Sequence, residues 1–231
     1  MQITACQRLT NPDCEDHIVK LTLNPVNNEH LKPFITGQFI RVGIPNTSAP
    51  APTYFAIASA PFTREGYDLV VKSASGMSQY LSHAQAGTIL EVEGPMGKGF
   101  DLRPYKGMNV VLMGAGTGIA PLRSVWQWLI NHREEYKDIY IYAGFLTPLH
   151  RVLTDELQAL QEHDIHVSVS LASGDQSWDG PIGFVQDALK ANPIDGLHAV
   201  ACLAGMSPMV DACTETLQNL GFDDTRILLN F

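Results

Sequence analysis

The sequence predicts a two-part α/β protein, with an antiparallel β-barrel or sandwich followed by a doubly wound parallel sheet. Short β-rich runs separated by turn residues fill the chain up to residue 104. From Asn109 onward, apolar runs with strand character alternate with stretches of helical periodicity, as in successive βα units. Between the two patterns, Pro104 and Gly107 interrupt the chain. We therefore expect one domain at residues 1–104 and a second at 105–231.

Five runs in the N-terminal part are rich in β-branched and aromatic residues and are bounded by turn residues. In chain order they read HIVKLTLNP, GQFIRVGIPN, YFAIASAP, YDLVVKSASG and TILEVEGPMG. Short turn-containing segments join them, so neighbouring strands are expected to be antiparallel. Such a set closes into a barrel or packs as a sandwich.

Five apolar strands and four intervening helices are predicted in the C-terminal part. The strands read NVVLMG, DIYIYAGF, DIHVSVSLA, HAVACLAG and RILLNF. The helices read PLRSVWQWLINH, TDELQALQEH, GFVQDALKAN and PMVDACTETLQNLG. Because helical crossovers join parallel strands, this order predicts a doubly wound five-stranded parallel sheet.

Charge and composition narrow the classes of function. The formal net charge is −9, with 8 Lys and Arg against 9 Asp and Glu up to residue 104, and 7 against 15 after it. A surface this acidic is a poor partner for the phosphates of nucleic acid. The first residues lack a signal-peptide pattern, and no apolar run is long enough to span a membrane. We expect a cytoplasmic protein without membrane insertion.

The cysteines give no pattern of metal binding. They have neither CxxC spacing nor a paired framework, and they stand at Cys6, Cys14, Cys202 and Cys213. This spacing favours reduced thiols over disulfides. The sequence therefore predicts no metal site and no iron–sulfur cluster of its own.

Three glycines follow the first predicted strand of the parallel sheet, at Gly114, Gly116 and Gly118. The loop after that strand lies at the carboxyl edge of the sheet, where the next helix begins with unpaired N–H groups. Without side chains there, a diphosphate could lie against the backbone. A tight strand-to-helix turn without any ligand would also favour glycine. The segment is not a GxGxxG fingerprint, because Ile119 occupies the third glycine position.

Two other segments look like catalytic motifs and are rejected. The GMSQY segment beginning at Gly76 resembles a nucleophile elbow, but Tyr80 replaces its second glycine. The GPMGKGF segment is no P-loop, because Lys98 is followed by Gly99 instead of Ser or Thr. Neither hydrolase nor kinase chemistry is expected.

Seven features in collinear order resemble the ferredoxin NADP reductase superfamily, whose members join a flavin-binding barrel to a nicotinamide-nucleotide domain. They are GQFIRV (37–42), TYFAIASAP (53–61), VKSASGMSQYL (71–81), EGPMGKGF (93–100), GAGTGIAPL (114–122), AGMSPMVDA (204–212) and a terminal aromatic after RILLN. The resemblance covers nearly the whole chain. It implies that the N-terminal part is a barrel that binds FAD, rather than FMN, and that NADH or NADPH is the co-substrate.

The same resemblance assigns roles to individual residues. The flavin contacts would be Thr53, Tyr54, Phe55, Ala56, Ile57, Ala58, Ser59, Val71, Lys72, Gly76, Met77 and Ser78. The dinucleotide contacts would be Gly114, Gly116, Thr117, Gly118, Pro121, Gly205, Met206, Ser207 and Met209. The catalytic positions would be Ala56, where the family commonly has a serine beside the hydride-accepting flavin nitrogen, and the terminal Phe231.

Each of these residues also has an ordinary structural explanation. Phe55 would pack in the core of its strand, Ser78 would cap the helix suggested by SQYLSHA, and Phe231 would close the last strand. The collinear order of the seven features favours the functional interpretation.

Departures from the family pattern affect cofactor binding. Thr53 replaces the usual arginine that pairs with the flavin phosphate, so flavin would be held loosely unless Lys72 or Lys98 supplies the charge. Ala204 replaces the cysteine that is common beside the nicotinamide. Leu146 occupies the place where the family often has an arginine for the extra phosphate of NADPH, which favours NADH.

These observations predict a flavoenzyme that transfers hydride from NAD(P)H to bound FAD and then passes electrons to an unidentified acceptor. One alternative is a flavin reductase that takes free flavin as its substrate. The other is an electron-transfer subunit, or a diverged flavin-binding module, of a larger complex.

Overall fold

The structure of the chain, a computed structural model, describes residues 1–26, 30–62 and 65–230. The expected catalytic position Phe231 lies outside the described residues. The strands are β1 (Gln2–Arg8), β2 (Ile18–Asn24), β3 (Phe39–Gly43), β4 (Thr53–Ala56), β5 (Tyr67–Lys72), β6 (Glu91–Met96), β7 (Asn109–Ala115), β8 (Ile139–Phe145), β9 (Ile165–Leu171), β10 (Ala199–Ala204) and β11 (Ile227–Leu229). The α-helices are α1 (Gly76–Ser82), α2 (Ile119–Ile130), α3 (Thr154–Ala159), α4 (Val185–Ala191) and α5 (Ser207–Asn219).

The first six strands form an antiparallel barrel, as the family resemblance implied. They make two three-stranded sheets, ordered β1-β2-β5 and β4-β3-β6. At one seam Gln2 bridges to Ile89, and at the other the amide of Ala58 donates to the carbonyl oxygen of Asp68 at 2.7 Å. Apolar residues from both sheets meet in a core that Met77 and Leu81 of α1 help to fill.

Strand β1 was not predicted. It pairs with β2 along its length, yet the side chains from Thr4 to Arg8 are all exposed. Only Ile3 of this strand is buried, so the apolar alternation that reveals a strand in sequence is missing.

The last five strands form a parallel sheet in the order β11-β10-β7-β8-β9, which confirms the predicted doubly wound fold. One apolar cluster places α2 and α3 on one face of this sheet, and a second places α4 and α5 on the other. The chain runs outward from β7 to β9 and then returns to β10. This reversal puts the switch point between β7 and β10, which is where ligands bind in open α/β sheets.

Helix α2 packs against both halves of the molecule. Nine of its 12 residues are buried, whereas a helix that covers only a sheet would bury a single stripe. Its second contact is the barrel, because Ile18, Ala58, Phe100 and Leu102 share one cluster with the helix. The two halves therefore have a common apolar core.

Three further observations concern the described residues. None of their helices is long and apolar enough to cross a membrane. No group of three His, Cys, Asp or Glu side chains among them is arranged to hold a metal ion. All four cysteines are free, and only Cys6 is exposed.

Candidate functional site

The glycine turn between β7 and α2 lies at the switch point, against the end of β10. A Cβ atom on Gly118 would lie 2.5 Å from the carbonyl oxygen of Ala204 and 2.8 Å from the Cα of Gly205. A Cβ atom on Gly114 would lie 2.7 Å from Leu122 and 3.1 Å from the same Ala204 oxygen. Close packing within the protein therefore explains these two glycines without any ligand.

Gly116 differs from its two neighbours. Its φ is +55°, which favours glycine, and no described atom lies within 4 Å of the position that a Cβ would take. Thr117 beside it is half-buried, while Pro121 is buried in the first turn of α2. Of the expected diphosphate contacts, Gly116 and Thr117 form the open part of the turn.

The start of α5 forms an exposed lip beside this turn. Gly205 and Ser207 are exposed, and Met206 has 78% of its surface exposed. Only the flexible side chain of Met209 lies close to the position that a Cβ on Gly205 would take. Gly118, two residues after Gly116, approaches the Cα of Gly205, so the lip lies beside the glycine turn at the carboxyl edge of the sheet.

The side chains of strand β4 and of the residues after it differ in their exposure to solvent. Tyr54 is 59% exposed and lies edge-on to Phe39, with ring centroids 5.5 Å apart. Phe55 pairs with Ile40 and packs partly against the barrel core, as expected for a core residue. The side chains that follow Ala56 are all buried, namely those of Ile57, Ala58 and Ser59.

The amide of Ala56 points to the open edge of the barrel sheet. Ala56 lies opposite Phe39, and the amide of the next residue, Ile57, donates to Gln38 at 2.8 Å. In an antiparallel pair, hydrogen-bonded positions alternate with positions whose N–H and C=O groups point away. Ala56 occupies a position of the second kind, and β4 is the last strand of its sheet. Its backbone polar groups are thus available to a ligand that lies along the edge.

The turn that opens α1 is also accessible. Gly76 has φ of +58°, and no described atom lies within 4 Å of where its Cβ would be. It borders an open pocket of about 760 Å³, lined also by Pro50, Gln79, Tyr80 and His83. The Ser78 hydroxyl donates to the carbonyl of Ser75 at 2.9 Å instead of accepting an amide, so it is not an N-cap. Val71 and Met77, expected as flavin contacts, are core residues with 1% exposure.

The two lysines considered as phosphate partners differ in availability. Lys72 is paired with Asp16. Lys98 is exposed and forms no ion pair with any described residue. Lys98 follows the end of β6 that pairs with Phe39, whereas Thr53 pairs with Val42 at the other end of β3, so neither lysine is shown to stand in for the missing arginine.

The end of β8 carries the position that the sequence analysis considered for the extra phosphate of NADPH. Leu146 is 55% exposed at this edge. The nearby arginine is engaged elsewhere, because the guanidinium of Arg151 lies 5.1 Å from the centre of the Trp178 ring.

A buried arginine in α2 escaped the sequence analysis. Arg123 is 5% exposed, and its Nε and Nη2 donate to the Glu156 carboxylate at 2.6 and 2.9 Å. Its Nη1 donates to Asp68 and to the Ala58 carbonyl, each at 2.9 Å. Burial alone would lower the pKa of this guanidinium, but hydrogen bonds and charges from the two carboxylates raise it above its ordinary value. The sequence signal that could have revealed it is the position of Arg123 as the single charged residue in a predicted helix that is otherwise largely apolar.

Comparison with known proteins adds independent information. Residues 14–100 match the oxidoreductase FAD-binding domain family, and residues 112–215 match the oxidoreductase NAD-binding domain family. The sulfhydrogenase 2 subunit gamma of Pyrococcus furiosus is 30% identical over 209 residues, covering 85% of this chain and 71% of that protein. The NADH-cytochrome b5 reductase 1 of Mycosarcoma maydis is 31% identical over 170 residues, covering 69% of this chain and 51% of that protein.

The chain thus spans about half the length of that reductase. Among solved structures, the flavohem-like FAD/NAD binding domain of nitric oxide dioxygenase from Vibrio cholerae superposes with a TM-score of 0.84 at 17% identity. The superposition covers 99% of this chain and 95% of that one. At this level of identity, the likeness bears on the fold.

Proposed function

The chain belongs to the ferredoxin NADP reductase superfamily, and from this premise we propose that it oxidises NAD(P)H with bound FAD and passes the electrons to an acceptor. In this proposal, residues 1–104 are the flavin domain and 105–231 the nucleotide domain. The observation that carries it is the pair of accessible backbone segments, at Ala56 on the barrel edge and at Gly116 at the switch point.

The barrel offers suitable contacts for FAD. The edge amide of Ala56 would donate to the ring system, and the exposed ring of Tyr54 would pack against it. The positive φ of Gly76 leaves the turn before α1 free of side chains, which suits a phosphate group. Phe55 would support the strand from inside the barrel. When bound, FAD supplies a ring that accepts a hydride and gives up electrons singly or as a pair.

The pocket beside Gly76 supports FAD over FMN. The pocket has a volume of about 760 Å³, is open to solvent and includes Gly76 in its lining. The adenosine half of FAD needs such a space, whereas FMN ends at its phosphate. Tyr80 and Gln79 on α1 would contact that half.

The nucleotide half would bind the reduced dinucleotide at the switch point. Gly116 and the first amides of α2 would receive the diphosphate, and Gly205 with Met206 would border the nicotinamide. The closely packed Gly114 and Gly118 hold this turn against β10, so the diphosphate and nicotinamide contacts keep a fixed separation.

The charges at the end of β8 support NADH as the preferred donor. Leu146 offers no hydrogen bond to a 2′-phosphate, and Arg151 lies over Trp178. An extra dianionic phosphate would therefore gain no charge-assisted bond there.

The acceptor and the compartment are further parts of the proposal. A cytoplasmic site of action agrees with four free thiols. The net charge of −9 makes a nucleic acid an unsuitable partner and favours an acceptor that is uncharged or basic.

A second candidate role is that of a reductase component in a larger assembly. It is favoured by relatives named as sulfhydrogenase gamma subunits and as a stachydrine N-demethylase reductase subunit. In that case the chain would use the same NAD(P)H and flavin sites, and its acceptor would be another subunit.

Anaerobic titration of the purified protein tests the proposal. We expect a flavin spectrum that survives gel filtration and bleaches on addition of NADH, with NADPH much less effective. A colourless protein that still consumes NADH when free flavin is added would instead indicate a flavin reductase. A protein that neither binds flavin nor oxidises either nucleotide would refute both.

A further inference from the structure

We propose that Arg123 is a positioning residue, which fixes the flavin-facing strand of the barrel relative to the nucleotide-binding turn. This inference rests on the proposed function, because it assigns the two sites that the arginine aligns. Arg123 acts through the Ala58 carbonyl on the barrel side and through the backbone of α2 on the side of the glycine turn.

The contacts of Arg123 cross the boundary between the two halves. Its guanidinium belongs to α2 in the nucleotide half, and it holds Glu156 of α3 with a two-pronged hydrogen bond. Its remaining nitrogen reaches the barrel, where it binds the Asp68 carboxylate of β5 and the Ala58 carbonyl. Asp68 is itself held by the Thr22 hydroxyl at 2.7 Å, so the arginine meets a fixed partner.

Two further side chains of α2 also form hydrogen bonds with the barrel. The Ser124 hydroxyl accepts the Gly37 amide at 2.8 Å, and the Gln127 side-chain oxygen accepts the Ala60 amide at 3.1 Å. Positions three and four residues apart on a helix share a face, and Arg123 and Gln127 are so spaced. Three polar side chains of one helix therefore form hydrogen bonds with the main chain of the barrel.

The place of these contacts in the chain connects the two sites. Ala58 lies two residues after Ala56, whose amide faces the open strand edge. Arg123 lies little more than one helical turn after Gly118, which packs against β10. The hydrogen bond between Arg123 and Ala58 thus gives a short, rigid connection from the strand edge to the glycine turn.

Stability alone is a poor explanation for a buried arginine here. Replacing a buried ion cluster by apolar residues often leaves a protein as stable or makes it more stable. Leu122, Val125 and Trp126 of the same helix are fully buried, so apolar packing already anchors α2 without the arginine. Directional bonds, in contrast, set the relative orientation of two packed bodies. Misplacement by about 1 Å lowers the rate of a reaction between aligned groups by up to about 100-fold.

Variants of two arginines test the proposal. Arg123→Met removes the directional bonds and keeps the apolar stem. Arg133→Met is the control, because Arg133 also has an extensive hydrogen-bond network but binds only within the nucleotide half, to the Asp164 carboxylate and to four carbonyls nearby. For each variant we would measure the flavin content, the thermal midpoint and amide exchange. We would also measure the rates at which saturating NADH and dithionite bleach the flavin.

For Arg123→Met we expect bleaching by NADH to slow by about tenfold or more. Bleaching by dithionite, which needs no alignment with a nicotinamide, should change less than about twofold, and flavin content should be kept. The amides of Gly37 and Ala60 should exchange faster, since their acceptors lie on α2 beside Arg123. Arg123→Lys keeps the charge but cannot form the bidentate hydrogen bond. Its rate of bleaching by NADH should therefore lie between those of the wild type and Arg123→Met.

An unchanged NADH rate in Arg123→Met, or an equal loss in Arg133→Met, would overturn the proposal. If Arg123→Met does not fold, Arg123→Lys takes its place, with the same split between NADH and dithionite expected at about threefold. Failure of the proposed function appears separately, as a wild-type protein that NADH does not bleach. In that event the amide exchange still reports whether Arg123 holds the two halves together.

Discussion

Two glycine turns in this molecule look alike in sequence but have different surroundings. At the turn before α1, Gly76 has a positive φ and an empty space where a side chain would stand. At the turn after β7, Gly114 and Gly118 have no such space, because Leu122 and the end of β10 occupy it. Only Gly116 between them resembles Gly76.

The comparison shows that a glycine can be required by a ligand or by a neighbouring strand. The two cases call for different tests, since a clash within the protein destabilises the fold and a clash with a ligand weakens binding alone. The β7 turn contains both kinds within five residues.

The largest effect is expected from Gly118→Ala. Its Cβ would lie within 3 Å of backbone atoms of Ala204 and Gly205, which cannot move as a flexible side chain would. We expect a loss of about 3 kcal/mol in the free energy of unfolding and a fall in thermal midpoint of about 6 to 12 °C. Thermal unfolding monitored by circular dichroism measures this, and a midpoint within about 2 °C of the wild type would contradict the packing explanation.

Gly76→Ala and Gly116→Ala should each lower stability less than Gly118→Ala does, and each should affect a different cofactor. Each puts an alanine at positive φ in open space, at a cost of about 1 to 2 kcal/mol. Gly76→Ala should release flavin on gel filtration, while Gly116→Ala should keep flavin and weaken NADH binding in calorimetric titration. If both variants lost the same ligand, the two turns would not serve separate cofactors.

Thr53→Arg sharpens the comparison on the barrel side. Thr53 is exposed beside the strand edge, and an arginine there would offer a charge-assisted bond to a flavin phosphate. A bond of about 1.5 to 3 kcal/mol corresponds to flavin binding about ten- to a hundredfold tighter. Fluorescence titration of the flavin-free protein measures the gain, with Thr53→Gln as the uncharged control. Equal affinity in both variants would place the phosphates elsewhere.

Leu146→Arg gives the smallest expected effect, on the nucleotide side. A cation at this exposed position should lower the KM for NADPH by about fivefold and leave the KM for NADH nearly unchanged. The comparison is made with Leu146→Gln, which adds polarity without charge. Should NADH and NADPH respond alike, the adenosine ribose lies away from the end of β8.

The parallel sheet was predictable because its signals are local. Apolar runs, helical periodicity and turn residues located all five strands from β7 to β11 and the helices between them. Strand β1 was missed because its exposed side chains carry no such signal.

The candidate site was less predictable, because its defining contacts are distant in sequence. Arg123 meets partners 33 and 55 residues away, and no periodicity shows such pairings. Likewise, nothing in the letters of GAGTG separates the two glycines that pack against β10 from the one that leaves an open space.

The common apolar core between barrel and sheet bears on how this scaffold could be recombined. Phe100 and Leu102 from the end of the barrel share a cluster with Val125 and Trp126 of α2. A chimera that borrows its barrel from a relative would meet the outward face of α2 with unmatched side chains. A chimera joined near residue 104 therefore needs the barrel-facing residues of α2 from the same protein as its barrel. We expect such a chimera to unfold in a single cooperative step only when these residues match.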